Sequence, residues 1–230
     1  MRSTYRHCEG EIVMDMPALI YRNRFGSEID FRNRMWKTLC EHFFQRYVPQ
    51  NASVVDVGCG YCEFINNIRC AKKIAVDVNP DAKKFAKVGV EVIISDSTDM
   101  KSVMDNSVDI VFMSDFLEHL TKESIIGTLR EIWRILRPDG KLLILQPNIR
   151  YCLRDYWMFF DHVTPLDDRS MSEALRATGF EVTECRARFL PFTTKSCLRN
   201  FAFLLRAYLK MPFLHRIFGQ QAFIVAEKRG

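Results

Sequence analysis

Two carboxylates and two histidines in this sequence could move a proton or bind a polar ligand. Asp115, Glu118 and His119 follow an apolar run that is typical of a strand, and His162 comes after an aromatic stretch further along the chain. A base within hydrogen-bond reach can remove the proton of a hydroxyl or of a protonated amine. We therefore treat Glu118, His119 and His162 as candidate catalytic residues. A structural role for Glu118 and His119, as a cap or a hydrogen-bonded core pair, is the alternative.

Residues 53–65, with the sequence SVVDVGCGYCEFI, predict a ligand-binding turn between a strand and a helix. Val54, Val55 and Val57 form the apolar run of a buried strand. Gly58 and Gly60 follow it. Glycine tolerates backbone angles that a side chain forbids, and it allows a ligand to approach the main chain closely. We expect a ligand to bind at this turn.

The elements around these residues alternate between strand and helix. After the first strand, further strands are predicted at 73–77, 90–95, 108–113 and 141–146. Helices are predicted at 29–47, from Pro80 to about Val88, and at 124–136. Residues 1–20 show no clear periodicity, and we expect a loosely held arm. The alternation predicts a doubly wound α/β sheet, whose ligands bind beyond the carboxyl ends of the strands.

The last third of the chain predicts a helix at 168–178, a strand at 180–189 and a final strand at 221–228. Between the two strands lies an insert, residues 191–219, with a helix that Pro212 should break. One face of this helix is apolar (Phe201, Leu204, Leu205, Tyr208) and the other is basic (Arg199, Arg206, Lys210). Such a helix can lie on an anionic membrane. Packing on the domain, a dimer contact or a pocket wall are alternatives.

Composition favours one soluble globular domain over the 230 residues, with 48% hydrophobic and 27% charged residues. We divide it into an N-terminal arm and helix (1–50), a core (51–190), the insert (191–219) and a final strand (220–230). The net charge of +5 is too small to indicate a dedicated nucleic-acid-binding protein. The eight cysteines are scattered, and no second pair accompanies Cys59 and Cys62 at zinc-binding spacing. The scattered cysteines favour a reducing cytoplasm. No signal peptide is expected, because Asp15 and Pro17 interrupt the apolar stretch near Ile12–Ile20.

The order of these motifs resembles that of the class I S-adenosylmethionine (SAM)-dependent methyltransferases, from about residue 20 onward. Asp56-Val-Gly-Cys-Gly60 is similar to the first motif of that family. Two later segments, 109–120 (DIVFMSDFLEHL) and 134–147 (RILRPDGKLLILQP), are similar to its fourth-strand motif and to the helix, turn and strand that follow. The resemblance implies a mostly parallel seven-stranded sheet with SAM as the methyl donor.

The resemblance also implies which residues bind the cofactor. The glycine turn would face the methionine part of SAM, and Asp77 would accept hydrogen bonds from the ribose hydroxyls. Asp96 and Ser97 would read the adenine amino group. The full set of implied cofactor residues is Asp56, Gly58, Cys59, Gly60, Asp77, Val78, Asp96, Ser97 and Ser114. Two positions depart from the family pattern, since Cys62 and Asp139 stand where glycine is frequent.

A nicotinamide-binding Rossmann domain is the competing interpretation of the turn. Its fingerprint needs a third glycine where Glu63 stands. A carboxylate there would repel a pyrophosphate, whereas SAM carries no phosphate. The residues therefore favour SAM.

A divalent metal is a further hypothesis for the acceptor side. Asp115, Glu118, His119 and His162 resemble the metal set of small-RNA terminal-ribose and ubiquinone-pathway O-methyltransferases. Oxygen and imidazole ligands suit Mg, Mn or Zn. The first position is Asp here, where those families show Glu, which shortens its reach.

The sequence thus predicts a SAM-dependent methyltransferase that acts on oxygen, or on nitrogen, of a small molecule. Segments 161–166, 188–195 and 219–226 resemble bacterial small-molecule methyltransferases linked with glycans and secondary metabolites. A catalytically inactive SAM-binding regulatory or scaffold protein and an RNA methyltransferase are the alternatives. Nucleic acid is not expected as a partner, while a homodimer and a peripheral membrane contact through residues 196–218 are left open.

Overall fold

The computed structural model describes residues 16–192 and 201–229. Seven strands form one sheet, and in chain order they are β1 (Ser53–Val57), β2 (Lys72–Asp77), β3 (Val90–Ile94), β4 (Val108–Ser114), β5 (Leu136–Pro147), β6 (Phe180–Arg186) and β7 (Gln221–Lys228). Their order in the sheet is β3-β2-β1-β4-β5-β7-β6. Neighbours from β3 to β5 pair in parallel, and β7 is antiparallel to both β5 and β6. The predicted mostly parallel, doubly wound sheet is confirmed.

Helices cover both faces of the sheet. They are α1 (Met16–Phe25), α2 (Ile29–His42), α3 (Glu63–Asn67), α4 (Ala82–Phe85), α5 (Lys122–Ile135), α6 (Ile149–Tyr156), α7 (Asp168–Ala177), α8 (Phe201–Leu209) and α9 (Pro212–Phe218). One core packs α2, α3 and α8 on the sheet, and the other packs α5 and α7 on its opposite face. Val54 belongs to the first core and Val55 to the second, because successive side chains of a strand point to opposite faces.

The N-terminal region differs most from the prediction. A helix, α1, begins at Met16 where a loose arm was expected. The predicted helix over 29–47 ends at His42, because Phe43 has non-helical backbone angles, and a short 3-10 turn follows at Phe44–Arg46. The helix predicted from Pro80 is reduced to α4. Residues 1–15 lie outside the described chain.

The C-terminal insert contains two helices. The predicted break at Pro212 is confirmed, since α8 ends at Leu209 and Met211 has non-helical backbone angles. Pro212 then opens α9, because proline fits the first turn of a helix, where its missing N–H costs nothing. Strand β6 ends at Arg186, three residues earlier than predicted. The remainder of the predicted insert, residues 193–200, is outside the described residues. Within the described ranges, no helix has the length and apolar character needed to cross a membrane.

Candidate active site

The glycine turn after β1 has the left-handed backbone that its sequence indicates. Gly58 has φ of +69° and Gly60 has φ of +51°. A methyl group added at Gly58 would lie 2.3 Å from a ring carbon of Phe116, and one added at Gly60 would lie 2.3 Å from the hydroxyl of Tyr21. The turn is therefore enclosed by α1 on one side and by the segment after β4 on the other. Neither position has room for a side chain.

Both departures from the family pattern occupy positions that favour glycine. Cys62 has φ of +59° and Asp139 has φ of +62°. A left-handed backbone costs an ordinary residue about 1–2 kcal/mol, and Asp tolerates it better than most. Cys62 is fully buried, with its sulfur 3.7 Å from that of Cys59. Each residue thus stores local strain in its own turn, Cys62 in the glycine turn after β1 and Asp139 in the Pro-Asp-Gly turn of residues 138–140.

Asp77, at the end of β2, is tied to the glycine turn. One of its carboxylate oxygens accepts a hydrogen bond from the Gly60 amide at 2.8 Å, and the other accepts one from the Asn79 amide at 2.8 Å. Burial raises the pKa of Asp77, and these amide donors oppose the shift. Each oxygen retains a lone pair for a ribose hydroxyl. The neighbouring Val78 is exposed and offers an apolar surface beside it.

The remaining predicted cofactor residues divide into open and buried groups. Asp96 is exposed, and a single oxygen of its carboxylate accepts from the amide and the hydroxyl of Thr98. Ser114 is partly exposed at the end of β4. Ser97 is buried, and its hydroxyl is 2.7 Å from that of Thr128. Asp56 and Cys59 are also buried. These last three side chains brace the turn and its neighbours and do not face an open cleft.

Arg32 of α2 and Tyr21 of α1 reach the glycine turn, and no local sequence pattern predicts either of them. The Arg32 Nε donates to the buried Glu63 carboxylate at 2.5 Å, and its guanidinium lies 4.0 Å from the centre of the Phe25 ring. Glu63 is therefore paired, not an isolated negative charge beside the turn. Tyr21 lies over Gly60. Long-range partners of this kind leave no local pattern in a sequence.

Glu118, His119 and His162 come together on the acceptor side. A 3-10 turn, Leu117–His119, carries the first two, and the backbone oxygen of Glu118 accepts from the amides of Val163 and Thr164. One ligand-capable atom from each of Glu118, His119 and His162 lies within 4.8 Å of the others. These two hydrogen bonds fix the 162–164 segment on the turn after β4. They explain why His119 and His162 lie close together although they are 43 positions apart in the sequence.

Two members of this cluster are buried without hydrogen-bond partners. Glu118 is 1% exposed, and neither carboxylate oxygen has a partner among the described residues. His162 is 8% exposed, and its Nδ1 atom likewise has no hydrogen-bond partner within the described chain. Burial raises the pKa of Glu118 well above its ordinary range, and it lowers the pKa of His162 to about 4. His162 is therefore neutral at neutral pH, and burial favours the neutral form of Glu118.

His119 is oriented by Asp161. The His119 Nδ1 is 3.0 Å from the backbone oxygen of Asp161 and 3.4 Å from its carboxylate. A carbonyl oxygen only accepts, so Nδ1 carries the proton and Nε2 has the free lone pair. Asp161 is in turn paired with Arg24 of α1 at 2.5 Å. Burial opposes ionisation of Asp161, but Arg24 and His119 outweigh it and lower its pKa.

Asp115 is not brought into this cluster. Its backbone is left-handed, with φ of +45°, and its carboxylate accepts from the side-chain amide of Gln221 at 2.7 Å and from the Ser114 hydroxyl at 3.2 Å. The four-residue metal set that the sequence suggested is therefore a three-residue group here. The spacing of residues in the sequence does not predict that the left-handed backbone at Asp115 turns its side chain away from Glu118 and His119.

Comparisons with known proteins agree on the fold and the chemistry. Residues 55–144 match a family model described as a methyltransferase domain. A Mus musculus protein named as tRNA methyltransferase 9B is 24% identical over 74% of this chain and 38% of its own length. A Bacillus subtilis protein named as methyltransferase YqeM is 30% identical over 42% of each chain. The chain thus spans about two fifths of the length of the curated relatives that it matches.

Solved structures extend the likeness beyond the matched domain. A SAM-dependent methyltransferase from Archaeoglobus fulgidus shares 25% identity at a TM-score of 0.65, over 89% of this chain and 99% of that one. With the strand order and the turn geometry, these matches show that residues 55–144 form a methyltransferase domain and that the chain has the class I SAM-dependent methyltransferase fold.

Proposed function

We propose that this methyltransferase transfers the methyl group of SAM to a hydroxyl oxygen of a small molecule, bound at Glu118, His119 and His162. The observation that carries the proposal is the unpartnered carboxylate of Glu118 beside the unpartnered Nδ1 of His162. A buried polar group without a hydrogen bond costs about 1–3 kcal/mol of stability. A bound acceptor with several hydroxyls would supply the missing partners.

Each side chain has a distinct part in the proposed reaction. The acceptor oxygen attacks the methyl carbon in line, the new O–C bond forms as the C–S bond breaks, and S-adenosylhomocysteine leaves. The enzyme's main contribution is to hold the oxygen close to that carbon and aligned with it. The lone pair of His119 Nε2 takes the hydroxyl proton, since Asp161 holds Nδ1 in the protonated form. The unpartnered oxygens of Glu118 and the unpartnered Nδ1 of His162 bind the neighbouring polar groups of the acceptor.

Release of S-adenosylhomocysteine tests the proposal. The full chain is incubated with SAM and panels of polyhydroxyl, phenolic, amine and tRNA acceptors, and product release is followed for each. We expect turnover with a hydroxyl compound, and we expect His119→Gln to lose it while SAM still binds. Turnover with tRNA alone, weakened by salt, would overturn the small-molecule proposal in favour of RNA. Binding of SAM without turnover on any panel member would favour a regulatory or scaffold protein.

A divalent cation at the same three residues is a second candidate, favoured by the same unpartnered atoms. One carboxylate and two imidazoles suit Zn or Mn. An ion about 2.1 Å from each ligand needs ligand atoms within about 4 Å of one another. The observed separations of up to 4.8 Å therefore call for a small closure of the side chains. A bound cation would hold an acceptor hydroxyl and favour its ionised form.

Metal content and chelation decide between the two candidates. If a cation belongs to the site, the purified protein contains about one equivalent of metal by mass spectrometry, Glu118→Gln contains far less, and exposed Glu123→Gln keeps it. Extensive chelation then lowers turnover by at least about tenfold, and added Zn²⁺ or Mn²⁺ restores it. Metal-free protein with turnover unchanged by chelation would remove the cation and leave the hydrogen-bonding account.

A further inference from the structure

The segment that ends in α8 and α9 has an unusual distribution of charge. Residues 185–226 contain no Asp or Glu, while seven Lys and Arg occur among them. The rest of the chain carries 26 basic and 28 acidic residues, so the excess of positive charge comes entirely from this segment. Arg186 pairs with Glu184 just outside the segment, whereas Arg206, Lys210 and Arg216 pair with no carboxylate among the described residues. An excess of unpaired cations on an otherwise balanced protein indicates a surface for an anionic partner.

The two helices are firmly fixed on the domain through one face. Leu205 and Leu209 are buried in the core that also contains α2. The Tyr208 hydroxyl donates to the backbone oxygen of Phe189 at 2.5 Å, and His215 Nε2 lies 3.0 Å from the backbone oxygen of Tyr208. Arg188 donates to the backbone oxygens of Ile217 and Gly219 at the end of α9. These contacts hold the inner face of α8 and α9 against the domain. The opposite, outer face therefore points away from the core.

That outer face combines large apolar side chains with cations. Five apolar side chains of α8 and α9 are mostly or half exposed: Phe203 (70%), Leu204 (46%), Phe213 (59%), Ile217 (60%) and Phe218 (56%). Arg206, Lys210 and Arg216 are exposed among them. Phe203, Arg206 and Lys210 share one side of α8 at helical spacing, and Phe213 and Ile217 share one side of α9. Isolated exposed apolar residues are ordinary, but five on one helical pair indicate a binding surface.

We propose that this outer face of α8 and α9 binds the surface of an anionic lipid bilayer, with the apolar side chains in the interface and the cations on the headgroups. The mixture of aromatic, aliphatic and basic side chains is that of interfacial helices. A symmetric contact with a second copy would bring together two surfaces that both carry the cations Arg206, Lys210 and Arg216, and surfaces of the same charge repel. RNA would engage the cations, but it offers no partner for Leu204 and Ile217. The proposal does not depend on the identity of the methyl acceptor.

Cosedimentation with vesicles tests the proposal. The full chain is mixed with vesicles of phosphatidylcholine alone, or with roughly one third phosphatidylglycerol, at low and at high salt. We expect binding at least about tenfold tighter to the anionic vesicles, weakened by salt. The paired variants are Phe213→Ser/Ile217→Ser and Arg206→Gln/Lys210→Gln, and each should lose about tenfold in affinity. Val88→Ser/Met104→Ser removes exposed apolar groups elsewhere and should bind like wild type.

Three results would overturn the proposal. The first is no cosedimentation of the wild type with anionic vesicles at low salt. The second is vesicle binding that the Phe213 and Ile217 substitutions leave unchanged. The third is a wild-type dimer by light scattering that the same substitutions dissociate, without vesicle binding, which would assign the face to a second copy. Circular dichroism and SAM binding confirm that each variant is folded, so loss of vesicle binding is not loss of the fold.

Discussion

Gly58→Ala is expected to lower the affinity for SAM by about 100-fold, equivalent to about 3 kcal/mol. The new methyl group would lie 2.3 Å from Phe116, so the ring or the turn must move. It would also impose a left-handed backbone on alanine, at about 1–2 kcal/mol of folding stability. Both effects act on the glycine turn, which we expect to face the cofactor. Isothermal titration with SAM and chemical denaturation measure them separately.

Gly89→Ala is the matched control for this prediction. Gly89 is also left-handed, with φ of +91°, but no atom lies within 4 Å of the position that its Cβ would take. The control should therefore lose about 1–2 kcal/mol of stability and keep wild-type affinity for SAM. If Gly58→Ala binds SAM as tightly as Gly89→Ala does, the turn does not form the cofactor surface described above.

Glu118→Met is expected to stabilise the fold by about 1–3 kcal/mol and to lower turnover by at least about 100-fold. Methionine has a similar shape, and it removes two buried oxygens that lack hydrogen-bond partners within the described chain. The stability gain should appear in urea denaturation with a chelator present, so that no cation contributes. Turnover falls because the acceptor loses a binding group, while the SAM affinity should remain unchanged.

Tyr156→Phe provides the contrast for Glu118→Met. The Tyr156 side chain is fully buried too, but its hydroxyl donates to the backbone oxygen of Thr164 at 2.5 Å. Removing the Tyr156 hydroxyl leaves the backbone oxygen of Thr164 without this hydrogen bond, which should destabilise the fold by about 1–2 kcal/mol. The two substitutions at buried polar groups are thus expected to have opposite signs. A destabilised Glu118→Met would mean that the Glu118 carboxylate serves the fold and is not reserved for a ligand.

Local pattern was sufficient for the sheet and for the cofactor turn. The apolar runs around Val54, Ile74 and Ile110 each predict a buried strand, and alternation with helices implies their parallel arrangement. Gly58 and Gly60 can be recognised from the sequence because a left-handed backbone favours glycine at such positions. Asp77 is legible because its position at a strand end follows from the same pattern. For residues of this kind, a short stretch of sequence predicts the backbone conformation or the position at a strand end.

Long-range pairing explains what the sequence did not reveal. Arg32 and Glu63 are 31 positions apart, and Arg24 and Asp161 are 137 apart, so neither ion pair leaves a periodic signal. Helix α1 was missed because its apolar and polar residues do not segregate into faces. Convergence of His162 with Glu118 depends on backbone bonds from Val163 and Thr164. The sequence spacing identified Glu118 and His119 as candidates together with Asp115, but only the fold shows that Asp115 lies apart from the other two.

Isothermal titration of the wild type and of Asp77→Asn with SAM tests the central claim most directly. Asp77 accepts a hydrogen bond from the Gly60 amide, and we expect its remaining lone pairs to accept from the ribose hydroxyls, so its loss should affect both the turn and cofactor binding. We predict one SAM bound for each wild-type chain, and binding weakened by at least about tenfold in the variant. Absence of binding by the wild type at millimolar SAM, or equal affinity for the two proteins, would contradict the cofactor site as described.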